Sequence, residues 1–101
     1  MTIAQKPPLT VGIDDEIRSE PKLFEAVQIA SRQLEEFLEA ERFEFERYEV
    51  RWSRNRRSPD EISAEYTEQD RYGERHARLS IPVSHLFDPV SRDGALRQLR
   101  I

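Results

Sequence analysis

From Leu23 onward, Leu23, Val27, Ala30, Leu34, Phe37 and Leu38 fall at spacings of four, three, four, three and one. That is the 3.6-residue period of a helix with a single apolar stripe. Pro21 stands just ahead, where the first turn of a helix tolerates proline. Phe24 and Ile29 flank the stripe, while Glu25, Gln28, Arg32, Gln33, Glu35, Glu36 and Glu39 fill the other faces. The pattern predicts an amphipathic helix over about residues 21–41.

Further on the period changes to two. Phe43 and Phe45 share one parity, and Tyr48, Val50 and Trp52 share the other. A strand over 43–52 with a bulge near Glu46-Arg47 reconciles the two halves, because one extra residue flips the register. The rival is a continuing helix, since Leu34, Leu38, Glu41, Phe45, Tyr48 and Trp52 also fit helical spacing. The aromatic content and the local alternation favour the strand. Ser53 to Asp60 holds no apolar residue and contains Ser58-Pro59-Asp60, which marks a loop of about eight residues. Ile62, Ala64 and Tyr66 then alternate with Ser63, Glu65 and Thr67. After a turn at Gly73, Ala77, Leu79, Ile81 and Val83 alternate with His76, Arg78, Ser80 and Pro82. These are two further strands. Beyond Val83 the chain reads as broken helix, with turns beginning at Asp88-Pro89 and at Asp93-Gly94. Leu86, Phe87, Val90, Leu96 and Leu99 supply scattered apolar contacts, to cap one end of the core or to cross to a second copy.

Residues 1–20 read as an N-terminal tail. Lys6-Pro7-Pro8 favours extended backbone, and Asp14-Asp15-Glu16 is an acidic run. Leu9 to Ile13 alternates briefly and forms an optional edge strand, weakened by Gly12. Residues 21–101 form a single α+β domain. The expected fold is a two-layer sandwich in which one long amphipathic helix packs on a three-stranded antiparallel meander, four-stranded if 9–13 joins it. A short C-terminal helical segment completes it. The order is shared with double-stranded RNA-binding domains, but those rely on a lysine cluster opening their second helix. This chain has no lysine after Lys22.

Composition narrows the chemistry. The chain has 101 residues, of which 37% are hydrophobic and 36% charged, a size suited to one core. With no cysteine, disulfide frameworks, thiolate zinc sites and cysteine nucleophiles drop out. The net charge of −4 argues against a strongly basic nucleic-acid binder. No apolar run reaches the ~18–20 residues that would span a bilayer, and no signal-peptide pattern opens the chain. A cytoplasmic protein without membrane attachment is the expectation.

His76 and His85 are the only imidazoles, and neither accompanies a nucleophile pattern. Glu74 with His76, and His85 with Asp88, fall short of the three or four ligands a metal needs. Glu44, Glu46 and Glu49 sit where the sheet should be wet, so a hydrolase using paired glutamates ranks as the second alternative. No cofactor, no metal and no catalytic residue is expected.

Charge segregation is the feature that departs from background. Six acids lie between Glu35 and Glu46 against Arg42 alone, and five arginines between Arg47 and Arg57 against Glu49. The chain holds 14 arginines and two lysines. A guanidinium fork suits carboxylate and phosphate, and stacks on aromatic rings. The reading that follows is a small non-enzymatic interaction module. It would recognise an acidic protein partner through Arg54, Arg56 and Arg57, with Arg51 and Trp52 at the base of the site. The first alternative is an RNA- or ribosome-associated factor using the same loop for phosphates. Two unpaired sheet edges also favour a homodimer.

Overall fold

A computed structural model of the chain describes residues 9–40 and 47–99. Its elements run β1 (Thr10–Ile13), α1 (Asp15–Arg18), α2 (Pro21–Ala40), β2 (Arg47–Arg54), β3 (Glu61–Asp70), β4 (Gly73–Pro82), α3 (Val83–Leu86) and α4 (Pro89–Gln98). The fold is α+β, with α2 and α4 on one face of a four-stranded sheet in the order β1-β2-β3-β4.

Two-residue alternation builds the sheet's buried face. Trp52 pairs with Ala64, Val50 with Tyr66, and Ala64 in turn with Leu79. Tyr48, Val50, Trp52, Ile62, Ala64, Tyr66 and Ile81 are all buried there. From the helix side come Leu23, Ala26, Val27, Ala30, Leu34 and Leu38. Phe37, expected in the same stripe, is half-buried under Arg97, whose guanidinium lies 5.3 Å from the ring centre. Ser31 is the one hydroxyl on the buried face of α2. It donates to the Val27 carbonyl at 2.8 Å and accepts from the Trp52 indole at 2.8 Å, so the buried indole N–H is satisfied.

The sheet is mixed, which corrects the antiparallel expectation. The stretch at 9–13 does join it, but β1 runs parallel to β2, with Val11 opposite Val50 and Ile13 opposite Trp52. Parallel neighbours need a crossover connection, and the long helix between β1 and β2 supplies it. β2, β3 and β4 form the antiparallel meander. The proposed start of a strand over 43–46, its bulge, and the rival helical continuation lie outside the described residues.

The N-terminal stretch is also more than a tail. Leu9 is buried and Ile17, on the single turn of α1, is fully buried. An isolated isoleucine between Asp14-Asp15-Glu16 and Arg18 has no periodicity to announce it. Its burial comes from the turn that carries the chain from β1 to α2. At the other end, the two expected turns are one ten-residue helix, and Gly94 lies inside it. Pro89 opens it, and Asp88 caps it by accepting from the Ser91 amide at 3.2 Å. Leu86, Leu96 and Leu99 close the core, while Phe87 and Val90 stay exposed. Arg92 ties this end to α2, donating to Gln33 at 2.8 Å and to the Leu86 carbonyl at 3.1 Å. Among the described residues no helix is long and apolar enough to cross a membrane.

Two stability effects follow. Leu34→Ala should cost ~2–5 kcal/mol through lost burial and a residual cavity. Ser31→Ala, which removes only an oxygen, should cost ~1–3 kcal/mol by leaving the indole N–H unpaired. Urea titration followed by circular dichroism measures both. The helix cap adds a pH effect: hydrogen bonds from the Ser91 hydroxyl and amide hold the Asp88 carboxyl below its ordinary value. A depressed carboxylate stabilises the fold above about pH 4, the ordinary unfolded value. That contribution is lost as pH falls through the lowered folded value. Asp88→Asn should therefore flatten the acid limb of thermal stability measured from pH 6 to 2, with little change in shape above it.

Candidate binding site

β2 alternates along Arg47–Arg54, so strand parity fixes the faces of Arg51 and Trp52. Arg51 points away from the helices, and Trp52 points toward them. The five expected residues therefore separate. Trp52 has no exposed surface and cannot form the base of a surface site. Arg51 is exposed on the open face, 3.4 Å from Asp14. Arg54 has the same parity as Trp52 but lies at the strand's end, where it forms an ion pair with Glu20. Arg56 and Arg57 are exposed on the β2–β3 loop, and among the described residues neither guanidinium has a hydrogen bond or ion pair.

The loop is shorter than expected, because β2 continues through Ser53 and Arg54. Residues 55–60 remain, and they are held by Asn55. Its side-chain oxygen accepts from the Arg57 amide at 3.0 Å and the Ser58 amide at 3.3 Å. This is the turn that an asparagine side chain makes with backbone two and three residues on. The Asn55 side-chain amide also reaches Ser80 on β4 at 3.4 Å, and the Glu61 amide donates to Ser58 at 2.9 Å. The arginines thus project from a fastened turn.

Below the turn, the open face forms a groove of about 810 Å³. Arg51, Arg54, Arg56, Arg57 and Arg78 line it, against Asp14 and Glu65 as the only carboxylates. Ser53, Ser63, Asn55 and Ser80 add hydroxyl and amide groups. In a chain of net charge −4, this is a local excess of three positive charges. The alternation in sequence puts Arg78 on the open face but not in the arginine site, because it lies 21 residues past Arg57. Only the β3–β4 register brings it alongside, opposite Glu65 at 3.7 Å and donating to Ser63 at 3.3 Å.

The remaining candidates stay apart. Glu49 pairs with Arg47 at 3.3 Å on the open face, and Glu44 and Glu46 lie outside the described residues. Glu74 and His76 approach to 3.6 Å, both exposed. Among the described residues no group of three or more His, Asp or Glu could hold a metal ion. Comparison with protein families, with curated proteins and with solved structures finds no match to this chain.

Asn55→Ala should release the turn without unfolding the domain, because the loop lies outside the core. Amide exchange at Arg57 and Ser58, followed by NMR, should accelerate at least tenfold, about 1.4 kcal/mol of lost local protection. Exchange in β2 and β3 should not change.

Proposed function

We propose that the chain is a small non-catalytic binding module of the cytoplasm. It captures an acidic segment of a protein partner in the arginine-lined groove. The observation that carries this reading is the pair Arg56 and Arg57. Two guanidinium groups held on a fastened turn, without counter-charges among the described residues, repel one another until an anion arrives. Arg51 and Arg78 extend the positive strip along the sheet, and each already has a carboxylate neighbour that an incoming acidic group would displace or share. Arg54 is more committed, through Glu20. Trp52 supports the groove from beneath and does not touch the ligand.

Exposed charge pairs contribute only ~0–1 kcal/mol each to stability, so the groove can be stripped without harming the fold. A double substitution, Arg56→Ser with Arg57→Ser, should leave thermal unfolding within a degree or two. It should lower affinity for a fluorescein-labelled oligo-glutamate peptide by tenfold or more, measured by fluorescence anisotropy. Equal affinity of the variant and the native chain would remove the proposal. The same titration with a single-stranded RNA oligomer decides the ligand class. Tighter RNA binding with a steep dependence on log salt would transfer the site to phosphate recognition.

A further inference from the structure

The two edges of the sheet are unlike. β1 is four residues long, and its outward Ile13 carbonyl accepts from the Arg18 side chain at 3.0 Å. β4 runs for ten residues. The β3–β4 hairpin closes on the pair Asp70–Gly73, and the Val83 amide donates to the Asp60 carbonyl at the far end, at 2.7 Å. Antiparallel pairs alternate between bonded and non-bonded, so Glu74, His76, Arg78 and Ser80 turn their backbone N–H and C=O outward. Pro82 follows in the same series, where its missing N–H costs the ladder nothing. Among the described residues nothing bonds to those outward backbone groups. An edge of this length without bulge, cover or proline before residue 82 is a template for another strand.

We propose that a second copy of this chain adds to the β4 edge, antiparallel and with His76 on the two-fold axis, joining two four-stranded sheets into one. The charge pattern selects both partner and register. With His76 opposite its own copy, Glu74 stands opposite Arg78 of the second molecule, and Arg78 opposite its Glu74. Opposite charges directly across a strand pair stabilise it, and like charges destabilise it. The next register, centred on Ala77, places His76 against Arg78 twice and leaves Glu74 against Ser80. The His76 register forms three bonded pairs, about six backbone hydrogen bonds.

Pairing of two antiparallel edges puts both helical layers on the same side of the joined sheet. Leu79 and Ile81 line a cleft of about 360 Å³ with Ser91, Gly94, Ala95 and Gln98. In the His76 register those two residues stand across from the β3–β4 turn of the second copy. The two α4 helices therefore lie to either side of the axis and leave the pairing to the strands.

The test uses the full chain and its freedom from cysteine. Residues facing each other across the axis have Cα atoms ~5.5 Å apart, within the ~4.4–6.8 Å a disulfide spans. Under mild oxidation His76→Cys should convert to a covalent dimer, while Ser80→Cys, displaced from its copy by several residues, should not. Sedimentation equilibrium should show the native chain approaching about twice 12.0 kDa with rising concentration. Arg78→Glu should shift it toward monomer, and Glu74→Arg combined with Arg78→Glu should restore the dimer, with circular dichroism confirming the fold of each. A native chain that stays monomeric to about 1 mM, the weak limit of useful affinity, would overturn the proposal. Equal cross-linking of the two cysteine variants, or failure of the charge swap to restore association, would overturn it as well.

Discussion

Trp52 must point inward, and most of what the surface presents follows from that. It is the only tryptophan in the chain and carries no exposed surface. Its indole N–H is fastened to Ser31 in the middle of α2. This hydrogen bond joins the helix to the sheet, and the burial of Tyr48, Val50 and Trp52 on one side fixes the parity of β2. Because successive side chains on a strand leave on opposite faces, Arg51 and Ser53 are sent to the open side. β2 is also the strand where the two kinds of pairing meet, parallel to β1 and antiparallel to β3. A slip by one residue would expose the tryptophan and bury Arg51, which keeps the register single.

The charge layout is a consequence of the same geometry. One face of the sheet is closed by helices, and the other carries side chains that alternate in sign along and between strands. Near the β2–β3 turn the alternation fails in favour of arginine, and there the groove opens. Toward the β3–β4 turn it is kept: Thr67 lies beside His76, 3.1 Å apart, and Glu74 lies beside His76. The proposed ligand groove and the proposed self-pairing edge thus share Arg78 and otherwise occupy different stretches of one surface. In the joined sheet both grooves would face the same way, offering an acidic partner two sites.

Much of this was legible in the sequence because it depends on period. The stripe from Leu23 to Leu38 announced α2 nearly to its ends, and the alternations at Ile62–Tyr66 and Ala77–Val83 announced β3 and β4 with their buried faces. What stayed hidden depends on contacts between distant residues. Ile17 is a lone apolar residue in an acidic run, and nothing local distinguishes a plug from a tail. The parallel pairing of β1 is a property of the crossover, not of Thr10–Ile13. For the site, Arg56 and Arg57 could be found from charge density alone. Arg78 joins them only through the β3–β4 register, and Trp52, adjacent to the arginines in sequence, has the parity of the buried face. The aromatic faces its neighbours' opposite side.

Iodide quenching of Trp52 fluorescence tests the division of β2 most directly. Iodide is an anion, so the arginines of the groove would concentrate it beside any indole at the base of that site. With Trp52 sealed between the sheet and Ser31, the native chain should show almost no quenching, and quenching should appear only on unfolding in urea. Strong quenching of the folded protein, weakened by Arg56→Ser with Arg57→Ser, would put the indole in the groove and contradict the account.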